Sequence, residues 1–211
     1  MNYETENLDF IDDIKPGEVL YDLGACEGRF SIYGAVNDVE IYSFEPDIDN
    51  YNVFNENIKL NALQKKITSF NVAVGDKEGI ATFKIGQPWS GGHQKIVQFG
   101  DYKREDLDFD FKKEVKVRLV SLDEFIEANS LKLPDYLKID IDGSEMPFIQ
   151  GAKKTLREGR VKKIIFELST SDPLFQDIIS ILDNLGFLEQ KRYHVPNEEH
   201  LFNIIFQRKT A

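Results

Sequence analysis

VLYDLGACEGRF, at residues 19–30, is the stretch of sequence that decides the fold of this chain. A short apolar run ends at Asp22, glycines follow at Gly24 and Gly28, and a helical pattern begins at Arg29. In α/β proteins such a strand–turn–helix unit brings the backbone close to a ligand and presents the free N–H groups of the helix N-terminus. The third glycine of the dinucleotide fingerprint is missing, and an acid at Asp22 would repel a pyrophosphate. The segment therefore predicts a cradle for a ligand with positively charged or hydroxyl groups.

Strand-like and helical segments alternate through most of the chain. Apolar runs predict strands at residues 19–23, 40–44, 67–72, 136–141 and 163–168, and helical patterns occupy residues 29–36, 48–61, 122–128, 144–157 and 173–185. This alternation predicts parallel strands covered by helices on both faces. The end of the chain differs, because residues 186–193 and 201–206 read as two strands with no helix between them, which predicts an antiparallel hairpin. The expected fold is α/β, doubly wound and mostly parallel, with a C-terminal antiparallel hairpin.

Length, charge and cysteine content limit the possible functions. The 211 residues fit one domain, expected over 1–211, and the formal net charge of −11 disfavours a nucleic acid as partner. The single cysteine, Cys26, excludes an internal disulfide framework. The polar N-terminal residues do not resemble a secretory leader, and no segment has the ~18 apolar residues that span a bilayer. We therefore expect a cytoplasmic protein without a membrane span.

An acid follows the second predicted strand, where a nucleoside ligand would need one. Glu45 stands 21 positions after Gly24, a spacing at which a carboxylate accepts hydrogen bonds from ribose hydroxyls. Taken alone, Glu45 is equally compatible with a helix cap, but with the glycine loop it predicts a nucleoside site. After the third strand, Ala73 and Val74 suit a flat adenine ring, and Asn71 or Asp76 can accept from its amine. The alternative for this segment is an ordinary Gly-Asp turn.

The fourth predicted strand carries the most reactive group of side chains. Asp140 and Asp142 stand at its carboxyl end, where open α/β sheets hold their ligands. Such a pair can bind a cationic amine or sulfonium, act as general base on a hydroxyl, or hold a divalent ion. Lys138 is expected to be a charge partner within the sheet. Glu167, at the end of the fifth strand, is expected at the same edge on the substrate side.

Six motifs, in order, resemble those of one enzyme family: Asp22-x-Gly24-Ala25-x-x-Gly28, Phe44-Glu45-Pro46, Asn71-x-Ala73-Val74-Gly75-Asp76, Ser121-Leu122-Asp123-Glu124, Lys138-Ile139-Asp140-x-Asp142-Gly143-x-Glu145 and Phe166-Glu167-Leu168. The chain resembles the FkbM-type methyltransferases, class I S-adenosylmethionine-dependent enzymes with a Rossmann-like fold, over residues 19–168. The resemblance implies a seven-stranded sheet with a reversed last strand. It also implies methyl transfer, mostly to oxygen and often to sugar or polyketide hydroxyls.

The resemblance also assigns individual residues. It places the methionine end of S-adenosylmethionine on the loop residues Asp22, Gly24, Ala25, Cys26 and Gly28, the ribose on Glu45, the adenine on Asn71, Ala73 and Val74, and the reacting end on Asp140. Two residues depart from the family pattern. Cys26 stands where asparagine is common, and Asp142 stands where glutamate is common.

Residues 85–114 are expected to form a lid or substrate loop, because long connections without regular structure are often binding loops. Trp89 offers an aromatic face for a sugar ring, Gly91 and Gly92 offer hinge freedom, and His93 offers a base. The alternatives are a surface histidine at position 93 and a packed anchor at Trp89.

The principal hypothesis is an S-adenosylmethionine-dependent O-methyltransferase for a hydroxyl of a sugar, glycan or other small molecule. Its catalytic candidates are Asp140, Asp142 and His93, and it assigns no metal ligand. One alternative is a metal-assisted enzyme with Asp140 and Asp142 as ligands. The others are a catalytically silent cofactor-binding scaffold and a nicotinamide oxidoreductase, which the missing third glycine disfavours.

Overall fold

The chain forms a seven-stranded main sheet and a second sheet of four strands. The structure, a computed structural model, describes residues 4–88, 95–98, 110–158 and 160–209. In chain order its elements are α1 (Thr5–Asp12), β1 (Val19–Leu23), α2 (Arg29–Val36), β2 (Glu40–Phe44), α3 (Ile48–Leu60), β3 (Ile67–Phe70), β4 (Ala73–Gly75), β5 (Gly79–Ile85), β6 (Lys95–Gln98), β7 (Lys113–Ser121), α4 (Leu122–Asn129), β8 (Tyr136–Ile139), α5 (Glu145–Gly151), α6 (Lys153–Arg157), β9 (Lys163–Ser169), α7 (Phe175–Asn184), β10 (Phe187–His194) and β11 (Leu201–Arg208). None of the helices within these described ranges is long and apolar enough to cross a bilayer.

The main sheet has the strand order β10-β11-β9-β8-β1-β2-β3. Neighbouring strands from β9 to β3 pair in parallel, whereas β11 pairs antiparallel with both β9 and β10. The sheet is therefore mixed rather than parallel throughout. The predicted hairpin of β10 and β11 causes this, because a tight connection between neighbouring strands reverses the chain.

Helices cover both faces of the main sheet. One face packs against Phe10 of α1, Phe30 of α2 and Phe54 of α3, and the other packs against side chains of α4 to α7, among them Phe125 and Phe148. All five residues of β1 are buried. Burial on both faces explains why the predicted strands read as nearly continuous apolar runs.

The second sheet, with the order β4-β7-β5-β6, was not expected from the sequence. The described part of residues 85–114 contains β6 and the start of β7, so the expectation of a segment without regular structure is wrong there. Apolar residues from β5, β6 and β7, including Phe83, Val97 and Leu119, form a separate small core. Residues 89–94 and 99–109 lie outside the described residues.

The two sheets meet after β3. The third predicted strand extends to residue 72, but β3 ends at Phe70, and β4 then pairs in parallel with β7. Asn71 and Val72 connect the two sheets. This break places Ala73 and Val74 at the start of the second sheet, directly beside the carboxyl ends of the main strands.

Candidate active site

The register of the main sheet brings the expected acids to one edge. Phe44 pairs with Leu23, which pairs with Ile139, which in turn pairs with Phe166. The residues that follow these four, namely Glu45, Gly24, Asp140 and Glu167, therefore lie side by side at the carboxyl edge. Backbone hydrogen bonds extend the strands to this level, from Gly24 N–H to the Phe44 carbonyl (2.9 Å) and from Asp140 N–H to the Leu23 carbonyl (3.0 Å).

A cavity opens between this edge and the second sheet. Many expected site residues line it, namely Gly24, Ala25, Cys26, Glu45, Ala73, Val74, Asp140 and Asp142. Its opposite wall includes Phe83 of β5 and Lys95 and Val97 of β6. Three expected cofactor-binding residues, Asp22, Gly28 and Asn71, are not part of the lining.

The two glycines of the first loop have different roles. Gly24 has φ +82°, and a Cβ at this position would lie 1.8 Å from the carbonyl oxygen of Asp140. Gly24 therefore permits close contact between the loop and the end of β8. Gly28 has φ +87°, and its Cβ would lie 1.9 Å from the ring of Phe54. Gly28 thus lets α2 begin against α3, and we find it behind the cavity rather than in it.

Glu45 is the central acceptor of the cavity. Its side chain is buried, and its two oxygens accept hydrogen bonds from the backbone N–H groups of Cys26 and Asp47, each at 2.8 Å. Burial raises the pKa of Glu45 to about 7, although both hydrogen bonds and the nearby Lys95 favour its ionised form. Each carboxylate oxygen has a second lone pair, so the group can still accept from two hydroxyls.

Cys26 packs the loop against α3 as a neutral thiol. Its φ is +52°, and its Sγ lies 2.7 Å from Oε2 of Glu27 and 3.3 Å from the amide nitrogen of Asn50. Burial, together with the Glu27 carboxylate, raises the pKa of this thiol well above its usual value. A protonated thiol is a weak nucleophile, so Cys26 is not a candidate nucleophile here.

Asp22 does not contact the cavity, in contrast to the expectation. Its carboxylate is fully buried, accepts a hydrogen bond from the Ser31 hydroxyl (2.6 Å) and lies 3.4 Å from Nζ of Lys138. The Ser31 hydroxyl lies 2.8 Å from that of Ser43. Alternation along β1 explains this placement, because successive strand residues point to opposite faces and only the turn after Leu23 reaches the edge. Asp22 therefore stabilises the loop indirectly, through Ser31 of α2 and Lys138 of β8.

Asn71 also lies outside the cavity. Its amide nitrogen donates to the carbonyl oxygens of Glu45 (2.8 Å) and Pro46 (3.1 Å), so it fixes the turn after β2. Ala73 and Val74 do line the cavity, as expected, together with Val72. This side of the cavity is therefore apolar, and Asn71 holds the backbone of Glu45 and Pro46 in place.

Several acids surround one buried cation near the carboxyl end of β8. Nζ of Lys138, whose side chain is 3% exposed, lies 3.4 Å from both Asp22 and Asp140. Burial alone would lower the pKa of Lys138, but these two carboxylates outweigh it and raise the pKa above its usual value. The predicted charge partner is confirmed. Burial, with the nearby charges of Asp140 and Asp142, raises the pKa of Glu167 well above its usual range.

Two expected elements of the site cannot be placed. His93 and Trp89 lie outside the described residues. Within the described ranges, no group of three or more His, Cys, Asp or Glu side chains is arranged to hold a metal ion. The candidate base His93 and the metal-assisted alternative therefore stay predictions.

Sequence reasoning missed the wall formed by the second sheet. Lys95 has a side chain that is 8% exposed and forms an ion pair with Asp47 at 2.6 Å. Strand β6 has only four residues, which are too few to show an alternating pattern, so Lys95 could not be recognised as a cavity residue from the sequence. The nine-residue β7 does alternate between charged and apolar residues from Glu114 onward, which was the available signal for the second sheet.

Comparisons with known proteins match most of this chain to methyltransferases. A family model described as a methyltransferase FkbM domain matches residues 22–189. The 31-O-demethyl-FK506 methyltransferase FkbM of Streptomyces tacrolimicus is 23% identical over 198 residues, which cover 83% of this chain and 74% of that protein. The hexuronic acid methyltransferase AglP of Haloferax volcanii is 20% identical over 173 residues, which cover 82% of this chain and 64% of that protein.

Solved structures show the same fold. TrmK of M. capricolum, in complex with the cofactor product S-adenosyl-homocysteine, has a TM-score of 0.56 at 11% identity, covering 99% of this chain and 70% of that chain. An rRNA methylase of Streptococcus thermophilus has a TM-score of 0.56 at 9% identity, covering 98% and 95%. The fold is thus that of class I methyltransferases. Some proteins with this fold are named for RNA, so the exclusion of nucleic acid, which rests on net charge alone, is not supported.

Proposed function

Because the chain belongs to the FkbM methyltransferase domain family, we propose that it transfers a methyl group to a hydroxyl oxygen of a sugar, glycan or other small molecule. The family and the fold imply S-adenosylmethionine as the cofactor. One observation carries the proposal. Glu45 and Asp140 flank Gly24 at the same sheet edge and line a single cavity.

The cavity residues fit this cofactor. Glu45 is a buried carboxylate with free lone pairs for the two ribose hydroxyls. Val72, Ala73 and Val74 offer apolar contacts for adenine. The loop at Gly24, Ala25 and Cys26, with Asp140 opposite, would hold the methionine end, whose ammonium and sulfonium groups favour nearby carboxylates. Asp22, Gly28 and Asn71 would act indirectly by supporting these contacts.

The protein's part in the reaction is alignment and proton handling. When bound, the cofactor supplies an electrophilic methyl group on a sulfonium sulfur. Such a displacement needs an oxygen held in line with that bond in a dry, electrostatically suited cavity. Asp140 is only partly exposed, 39% by side chain, and its Oδ atoms can accept the hydroxyl proton of the acceptor. Lys138 orients this carboxylate from below. Asp142 lines the cavity next to it, and His93 is a further candidate base.

Oxygen as the receiving atom is supported by the relatives. Their names describe methyl transfer at a 31-O position and to a hexuronic acid. We also propose that residues 1–211 act as one domain, because the second sheet completes the cavity of the first. Residues 85–114 would then select the acceptor, since the described part of that segment, β6, lies in the cavity wall.

Ligand binding and product analysis test the proposal. We expect S-adenosylhomocysteine, at ~100 times its Kd, to stabilise the protein by ~2.7 kcal/mol, a rise of roughly 5–11 °C in Tm. NAD should leave Tm unchanged. A shift with NAD and none with S-adenosylhomocysteine would overturn the proposal. Mass spectrometry should then find a gain of one methyl group on a hydroxyl in a panel of sugars and polyols.

A metal-assisted reaction is the second candidate, because Asp140 and Asp142 both line the cavity. Full activity after dialysis against a strong chelator would reject it. Loss of activity that Mg²⁺ or Mn²⁺ restores would support it.

A further inference from the structure

The buried carboxylate Glu45 belongs to a closed ring of five residues that are joined by hydrogen bonds. Lys95 Nζ donates to Asp47 Oδ2 (2.6 Å), and Asp47 N–H donates to Glu45 Oε1 (2.8 Å). On the other side, Lys95 Nζ donates to Asn50 Oδ1 (3.3 Å), and the Asn50 amide donates to Cys26 Sγ (3.3 Å). Cys26 N–H then donates to Glu45 Oε2 (2.8 Å) and closes the ring.

Lys95 is the one member of this ring that comes from the second sheet. Glu45 follows β2, Asp47 and Asn50 belong to the start of α3, and Cys26 belongs to the loop after β1. The ion pair between Lys95 and Asp47 is buried, with side-chain exposures of 8% and 4%. A buried, paired charge has a defined position, because moving either partner leaves the other uncompensated. Lys95 thus fixes both branches that hold the oxygens of Glu45.

We propose that Lys95 is a positioning residue for cofactor binding, which acts through Asp47 and Asn50 to hold the Glu45 carboxylate in its accepting orientation. The inference rests on the proposed function, in which Glu45 binds the ribose hydroxyls. It adds that the second sheet, through β6, takes part in the cofactor site as well as in the acceptor side.

The proposal predicts a specific effect on affinity. Lys95→Met should weaken the Kd for S-adenosylhomocysteine about tenfold, equivalent to about 1.4 kcal/mol, as measured by isothermal titration calorimetry. Lys95→Arg should recover part of the loss because it keeps the charge. Lys84→Met is the matched control. Lys84, on β5, stands opposite Ile96 of β6 and lies outside the cavity lining. Its Nζ is 3.7 Å from Glu114 and lies over the ring of Phe111, both away from Glu45, so this variant should bind like the wild type.

The pH profile separates positioning from general loosening. Glu45 faces the Asp47 carboxylate, the Cys26 thiol and the Lys95 ammonium, and only the last of these favours its ionised form by charge. Affinity should rise with pH as Glu45 ionises, and Lys95→Met should shift the midpoint of this rise to higher pH. A merely structural loss would weaken binding equally at every pH between 6 and 9.

Lys95→Met leaves Asp47 buried without its cation, so the fold itself is at risk. The double variant Lys95→Met/Asp47→Asn removes the uncompensated charge and keeps a side-chain oxygen to cap α3 at Asp49 N–H. It should fold and still bind weakly. Wild-type affinity in folded Lys95→Met or in the folded double variant would overturn the inference. Glu45→Gln, measured in parallel, distinguishes the two proposals. If Glu45→Gln also binds normally, the assigned role of Glu45 has failed, whereas a loss there alone rejects only Lys95.

Discussion

Replacing Glu45 with glutamine should make the ligand-free protein less sensitive to alkaline pH. Burial raises the pKa of Glu45 from 4.5 to about 7, so the folded state holds a proton that the unfolded chain has already released. Stability must then fall as pH rises through this window. This loss of unfolding free energy amounts to about 3 kcal/mol. It is complete above pH 7 and absent below pH 4.5. Glutamine has no proton to lose and avoids this cost.

The measurement is the difference in unfolding free energy between Glu45→Gln and the wild type. Urea titrations at pH 4.5, 6, 7 and 8 should show this difference increasing by about 3 kcal/mol in favour of the variant, or roughly 6–12 °C in Tm. Glutamine offers only one oxygen to the N–H groups of Cys26 and Asp47. Losing that acceptor subtracts about 1–3 kcal/mol at every pH, so the slope is the diagnostic quantity.

Glu56→Gln, which removes an exposed carboxyl from α3, controls for the loss of one surface charge. A difference between Glu45→Gln and the wild type that stays constant from pH 4.5 to 8 would refute the reasoning. Cofactor binding should be linked to the ionisation of the same carboxylate. S-adenosylhomocysteine should bind the ionised carboxylate and release a proton near pH 7, which calorimetry in two buffers of different ionisation enthalpy detects.

Three further outcomes are expected. Gly28→Ala should lower the free energy of unfolding by roughly 2–4 kcal/mol, because a Cβ meets Phe54 at 1.9 Å and φ is positive; Gly79→Ala, with open space at its Cβ, is the control, and equal urea midpoints would contradict this. Asp140→Asn should reduce kcat by ~10²-fold or more, and unchanged turnover would remove Asp140 from the reaction. Lys138→Met should destabilise the fold by about 3–5 kcal/mol because Asp22 stays buried and charged. Adding Asp22→Asn should restore much of that loss in thermal melts, and no recovery would reject the pairing.

The meeting of the acids and the glycine loop at one sheet edge is the part of the site that sequence can predict. Strand ends in a parallel sheet meet at one edge, so a glycine loop and an acid at the next strand end determine their own proximity. Glu45, Gly24 and Asp140 lie together for this reason. Asp22 and Asn71 were expected to contact the cofactor, because a motif does not reveal which way a side chain points. The Asp22 side chain points away from the cavity and bonds Ser31, and the Asn71 side chain bonds the turn after β2.

The second sheet and Lys95 could not be predicted in the same way. Short strands carry little periodic signal, and β6 has four residues. Its contact with Asp47 joins positions 48 residues apart and depends on the packing of two sheets. Neither propensity nor spacing encodes such a contact.

The arrangement of the two sheets has a consequence for protein engineering. In the part of the chain that the structure describes, strands β5, β6 and β7 pair with one another and with the short β4, and none pairs with a strand of the main sheet. We therefore expect residues 79–121 to be exchangeable as a unit. We expect that transplanting this unit from a related enzyme changes the preferred acceptor while the host keeps its cofactor, provided that the graft retains a lysine able to reach Asp47.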